Sequence, residues 1–148
     1  MTANYTARGT ATTVLTTELN SLASAGVSAA SSVQDNDTAG ARDTMAQFEA
    51  SIAAQGANRA AGAYIALYLV PELDGTNYGA TTDECLDNYF AYSWSLDDAA
   101  LAARYLVADC VRLPVGDWKA VIKNGTGQAL AASGNTIKYR VYSLEDAS

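Results

Sequence analysis

The sequence predicts an all-β protein: an antiparallel β-sandwich of jelly-roll type with an extended N-terminal arm and one short helix. Three observations carry that reading. Apolar and polar residues alternate in several short segments, the two-residue period of strands with one dry face. Turn-forming dipeptides separate those segments at the spacing of a sandwich. No strand-helix-strand alternation marks a parallel sheet, and no self-similar repeat marks a solenoid or propeller.

The chain of 148 residues fits one domain, a size that buries roughly 70% of the surface its unfolded form exposes. Much of the 49% apolar content is alanine, so the core must rest on tyrosines, two tryptophans and β-branched residues. The division expected is an arm with a short helix over residues 1–32 and the sandwich over 33–148.

The arm is rich in Thr, Ala and Ser, which reads as an irregular cap rather than core. Within it Leu15, Leu19 and Leu22 recur at helical spacing, a threonine can cap the first turn, and Gly26 follows the end, so residues 15–22 predict a helix lying across an open face or edge. From 43 to 54, Ala46, Phe48, Ala50 and Ile52 alternate with Gln47, Glu49 and Ser51, a strand with one wet face. Residues 63–70 are apolar on both faces and stop at Pro71, as a central strand would.

Asp74-Gly75 supplies turn chemistry, and strands follow at 88–94 and 105–113, joined through Asp97-Asp98 and the alanines after it. In the second of these Tyr105, Val107, Val111 and Leu113 alternate with Leu106, Cys110 and Arg112. Trp118, Ala120 and Ile122 alternate with Lys119, Val121 and Lys123 up to Asn124-Gly125, a dipeptide that predicts a hairpin turn. Ser133-Gly134-Asn135 turns the chain again before a last strand, 136–142, with Ile137, Tyr139 and Val141 on one face and Lys138, Arg140 and Tyr142 on the other.

Composition narrows function. A net charge of -7 and a pI near 4.3 repel phosphate backbones, so no nucleic-acid partner is expected. No apolar run approaches the roughly 18 to 20 residues of a membrane span, and residues 1–9 do not resemble a secretory signal, so neither a membrane partner nor export is expected. The chain has no histidine, which removes Ser-His-Asp and Cys-His catalysis and most catalytic zinc sites. Cys85 and Cys110 are too far apart for a Cys-x-x-Cys motif and are expected as buried free thiols.

Several residue groups invite a functional reading. Asp83, Glu84 and Asp87, with Asp74 nearby, are the residue types of a glycosidase pair, but they match no spacing rule and read as a solvated acidic loop. Asp35-Asn36-Asp37-Thr38-Ala39-Gly40 begins like a calcium loop, yet Ala39 and Ala46 stand where ligands are needed, so it reads as a turn. Trp94, Trp118 and the tyrosines are candidates for a sugar-stacking platform, with core or subunit contact as the commoner use. The Asn-x-Thr triplets at Asn4, Asn36 and Asn124 carry no weight without a secretory route. Gly125 and Gly127 lack the strand-to-helix context of a phosphate loop. No catalytic, cofactor-binding or metal-binding residue is assigned, and no enzyme activity is expected.

Taken together, Tyr68-Leu69-Val70-Pro71-Glu72-Leu73-Asp74-Gly75-Thr76-Asn77-Tyr78, then Leu113-Pro114, then Lys123-Asn124-Gly125-Thr126-Gly127 and Ala132-Ser133-Gly134-Asn135-Thr136 through Tyr142 resemble small virion structural proteins of tailed bacteriophages. Leu15-Thr16-Thr17-Glu18-Leu19-Asn20-Ser21-Leu22 fits as well. The likeness spans most of the chain but consists of turn-and-strand motifs and carries over no active-site residue. It departs at residues 35–42, polar and alanine-rich where the family has a strand, so this part either pairs in the sheet or forms a loop.

The resemblance implies a β-sandwich or jelly-roll subunit in the virion, made in the host cytoplasm, with the major capsid protein or other virion proteins as partners. It implies a capsid decoration (cement) protein, with a tail-associated or host-glycan-binding module as the alternative. A homo-oligomer, a trimer as the first expectation, would cover the sandwich edges. The arm, residues 1–9, would order on docking between neighbouring subunits.

Overall fold

The computed structural model describes residues 3–38 and 42–146. Its strands are β1 (Ala3–Tyr5), β2 (Thr12–Leu15), β3 (Met45–Ile52), β4 (Tyr64–Pro71), β5 (Phe90–Ser95), β6 (Arg104–Arg112), β7 (Trp118–Gly125), β8 (Thr136–Tyr142) and β9 (Leu144–Asp146). They form a four-stranded sheet in the order β2-β8-β3-β6, a three-stranded sheet in the order β5-β4-β7, and a two-stranded ribbon, β1-β9. Every pairing is antiparallel.

The outer edge of β7 is not bare. Residues 25–34 run along it as an extended strap, with the amides of Ser28, Ser31 and Gln34 donating to the carbonyls of Ile122, Ala120 and Trp118 at 2.8, 2.9 and 2.8 Å. In the other direction the amides of Ile122 and Ala120 donate to the hydroxyls of Ser28 and Ser31 at 3.0 and 2.9 Å. The strap advances three residues for every two of β7, so it cannot present a carbonyl at each strand repeat, and serine side chains supply the missing acceptors.

With the strap counted as a strand, the contacts β2-β8, strap-β7, β3-β6 and β4-β5 nest inside one another. That nesting is a long hairpin rolled over on itself, the jelly roll the sequence predicts. Of the N-terminal part expected as an arm, the described residues lie along the sheets: β1 pairs with β9, β2 with β8, and the strap with β7.

The core lies between the sheets. Phe48, Ile52, Ile65, Leu67, Ile122 and Ile137 are all fully buried there, and Trp118 and Tyr139 meet edge to face with centroids 5.2 Å apart. Such pairs add to plain area burial. A second, smaller core forms on the other face of the three-stranded sheet from Ala66, Tyr68, Val70, Val121 and Leu86. The strap and the helix α1 (Asp83–Leu86) cover it. Strand β4 is therefore dry on both faces, as its unbroken apolar run requires.

Three expectations are corrected. Residues 15–22 form no α-helix: Leu15 ends β2, and Thr17–Leu19 make a single 3-10 turn. The threonines between the leucines favour extended backbone, and a strand followed by a turn sends Leu15 and Leu19 into the same core that a helix face would have reached. The short helix lies instead at α1, in the acidic stretch read as a loop.

Asn124-Gly125 is not a turn but the end of β7. Asn124 is fully buried and its amide donates to the carbonyls of Leu22, Ala23 and Gln128. A Cβ on Gly125 would overlap the Tyr64 ring, so the glycine serves close packing across the sheet.

The cysteines are free but not buried: Cys85 is half-buried on α1 and Cys110 is exposed. Cys110 sits with φ at 57° where the β3-β6 register shifts. That bulge turns outward a residue that regular alternation would have sent elsewhere.

Candidate assembly surface

The two ends of the sandwich differ in construction. At one end four loops, 16–24, 53–63, 96–103 and 126–135, are braced by buried polar side chains. Arg59, whose side chain is fully buried, donates to Gln55 Oε1 at 2.7 Å, Asp97 Oδ1 at 3.2 Å and the carbonyl of Ala102 at 2.6 Å. Gln55 donates in turn to Thr126 Oγ1 at 3.0 Å and to the carbonyl of Ala129 at 3.1 Å. Burial pulls the Arg59 pKa down, opposed by the Asp97 charge. Asp97 is held below the ordinary carboxylate range, first by its hydrogen bond from Arg104.

At the opposite end residues 35–38 and the loops 72–89 and 113–117 meet, the backbone amides of Asn36 and Glu72 donating to Asp117 Oδ1 and to the Asp117 carbonyl, each at 2.9 Å. Asn36 ties the first to the third, donating to the carbonyl of Pro114 at 2.9 Å. Leu73 and Val115 project at 67% and 92% exposure. Two open cavities of about 320 and 400 Å³ indent this end, and Leu113, Pro114 and Val115 line both. Asp35, Asp37, Asp43, Asp74 and Asp117 belong to this end, and so do Arg42 and Arg112, which line its cavities.

The sequence candidates fall as follows. Asp74 is a turn cap, its carboxylate accepting the Asn77 amide at 2.8 Å, which lowers its pKa. Asp35 does the same for Asp37 and Thr38, so residues 35–38 form a turn. Asp83 pairs with Lys123 Nζ at 2.6 Å and holds that ammonium above its usual range. Glu84 and Asp87 lie exposed beside it on α1 and the turn that follows. No group of metal-ligating side chains forms among the described residues. Trp94 and Trp118, at 4% and 1% exposure, are core residues and offer no stacking platform. Asn36 and Asn124 are buried structural side chains, whereas the side chain of Asn4 lies outside the described ones.

Periodicity did not single out the two outward faces of the sandwich. On the four-stranded sheet the outward rows run Tyr105-Ser51-Thr136 and Val107-Glu49-Lys138 across β6, β3 and β8. Tyr105 and Val107 are 83% and 53% exposed. A groove of about 340 Å³ lies among Glu49, Ser51, Tyr105, Val107, Thr136 and Lys138. Of its charged neighbours, Glu49 and Lys138 line it, and Arg140 pairs with Glu49 at 3.3 Å. On the opposite face the stretch from residue 72 to residue 98 carries only acids, and Lys119 and Lys123 of β7 lie against it, one over the Tyr78 ring and the other on Asp83. There Phe90, 56% exposed, packs edge-on against Tyr68.

No helix among the described residues is long and apolar enough to cross a membrane. No family model matches the chain, and no curated protein matches its sequence.

Proposed function

We propose that this protein is a virion structural subunit, a decoration (cement) protein that binds the outside of a capsid shell and strengthens it by repetition. The observation that carries the reading is the contrast between the two ends. One is locked by Arg59 and Gln55, and the other offers apolar tips, Leu73 and Val115, among aspartates and the cavity-lining Arg42 and Arg112. An exposed apolar centre in a charged surround is the anatomy of a protein contact. Repeated on a symmetric lattice, contacts of modest strength multiply through effective concentration. The jelly roll is an architecture that capsid proteins share with lectins; both tryptophans are buried, so a sugar platform would have to rest on exposed tyrosines such as Tyr105.

The aspartates of the shell-facing end keep free subunits apart and meet basic residues of the major capsid protein on docking. The test is a titration of purified protein onto emptied shells, read as copies bound and as the melting temperature of the shell. Saturation at a symmetry-related copy number with a higher melting temperature supports the reading, and Leu73→Asp with Val115→Asp then weakens binding. A protein that ignores shells, or binds them without saturating, rules the reading out.

A further inference from the structure

The outward face of the four-stranded sheet carries a site of its own. We infer that the groove beside Tyr105 binds a neutral saccharide: the tyrosine ring stacks on one face of a sugar, and Glu49, Lys138, Ser51 and Thr136 bond its hydroxyls. The inference goes beyond the shell-binding reading and does not depend on it, since it uses none of the loop tips assigned to the shell.

Tyr105 stands 83% exposed on β6, although a ring of that size is ordinarily turned into a core or a contact. It enters none of the ring-to-ring pairs among the described residues. Its row continues across the sheet as Ser51 and Thr136. Both are short, so the ring rises at the side of a trough and keeps one face open. The next row, Val107-Glu49-Lys138, bounds that trough. The groove of about 340 Å³ has the size of a small-ligand site and its usual make-up, an aromatic surface with a few convergent polar groups.

The lining selects the ligand. A pyranose offers a flat face of C–H bonds, which rests on an aromatic ring, and a rim of hydroxyls that both donate and accept. Glu49 accepts, Lys138 donates, and the hydroxyls of Ser51 and Thr136 do either. Arg140 donates to Glu49 Oε1 at 3.3 Å, which orients the carboxylate and leaves Oε2 for a ligand. One anion and one cation line the groove, so a ligand of strong net charge meets a like charge whichever its sign, whereas a neutral polyol uses both.

The groove is also rigid and remote from Leu73 and Val115. Its residues lie where β3 leaves for the loop 53–63 and where β6 and β8 begin after the loops 96–103 and 126–135, all at the braced end of the sandwich. Arg104, next to Tyr105, donates to Asp97 Oδ1 at 2.9 Å. A site held in this way loses little conformational freedom when it is filled. A subunit seated on a shell by its tips would carry the groove at its outer end, and many copies would turn weak single contacts into firm attachment to a polymer.

The test needs no shells. The purified protein is run by affinity electrophoresis and titration calorimetry against three soluble neutral polymers, a glucan, a mannan and a galactan, with an anionic polysaccharide as the control. At least one neutral polymer should bind the wild type, with an affinity that changes little as salt rises. Tyr105→Ala should lower that affinity about tenfold or more, whereas Tyr105→Phe, which keeps the ring, should largely retain it. Thr136→Leu, which fills the trough, should block binding. Tyr105 is a surface residue, so an unchanged urea midpoint for Tyr105→Ala separates lost binding from lost folding. Failure of all three neutral polymers to bind, binding that Tyr105→Ala leaves intact, or binding of the anionic polymer alone overturns the inference. Each of these results leaves the shell titration to be judged on its own.

Discussion

The hydroxyl of Ser31 accepts the amide proton of Ala120 at 2.9 Å, a hydrogen bond that a sheet ordinarily draws from the carbonyl of a neighbouring strand. Ser28 does the same for Ile122. Replacing either serine by alanine leaves a buried amide without an acceptor, at a cost of about 1 to 3 kcal/mol. Ser28→Ala and Ser31→Ala should each lower the urea midpoint, whereas Ser32→Ala, at an exposed position of the strap, should move it little.

Gly125 and Tyr64 are directly opposite across β7 and β4, and the ring fills the space that a Cβ would need. Gly125→Ala should cost about 2 kcal/mol through overpacking. The added change Tyr64→Ala should recover part of that loss, and a double-mutant cycle of denaturation free energies measures the coupling.

Arg59 joins the loop 53–63 to the loop 96–103 through three side-chain hydrogen bonds. Arg59→Met should destabilise by about 3 kcal/mol, because Gln55 Oε1 and the carbonyl of Ala102 lose their partner inside the protein. Thermal melting at neutral pH checks it.

The Asp97 carboxyl has a folded-state pKa below its unfolded value. Its stabilising effect is therefore fully present above about pH 4 and fades as pH falls through the folded value. The stability gap between wild type and Asp97→Asn should be widest near neutrality and shrink below pH 4, as followed by urea denaturation at several pH values. Asp35 and Asp74, shifted the same way by their turn hydrogen bonds, should give the variant a residual acid dependence of the same sign.

Trp94 and Trp118 are both buried, so intrinsic fluorescence should be blue-shifted and resist aqueous quenchers until the protein unfolds. Trp118→Ala should cost about 3 to 5 kcal/mol as a core truncation. Trp94→Phe should stay within about 1 kcal/mol, since the indole N–H it removes has no acceptor in the protein.

Most strands were legible because Phe48, Ile52, Ile122 and Ile137 announce a two-residue period that only a sheet satisfies. The strap was not, since its bonds come from serine hydroxyls at a three-residue step that resembles no regular element. Leu15, Leu19 and Leu22 fit a helix by spacing, and the threonines between them decided otherwise. The outward position of Cys110 follows from a bulge, and a bulge leaves no pattern in composition. As for the assembly surface, the acid-only stretch 72–98 could be read directly from the sequence. Its place on the face opposite the Tyr105 groove depends on which strands neighbour one another, information that residue spacing does not contain.

Strand β8 is the last long strand in the chain, yet it lies between β2 and β3 in the four-stranded sheet. Strand β2 must wait for it, whereas β3 can pair first with β6. During synthesis β4, β5 and β7 can assemble while the C-terminal residues are still inside the ribosome, but the other sheet stays split until residue 142 emerges. Its closure links strands more than 120 residues apart in the chain, an entropic cost that comes late. Until β8 is in place β2 has no partner in the sheet and β3 is paired with β6 alone.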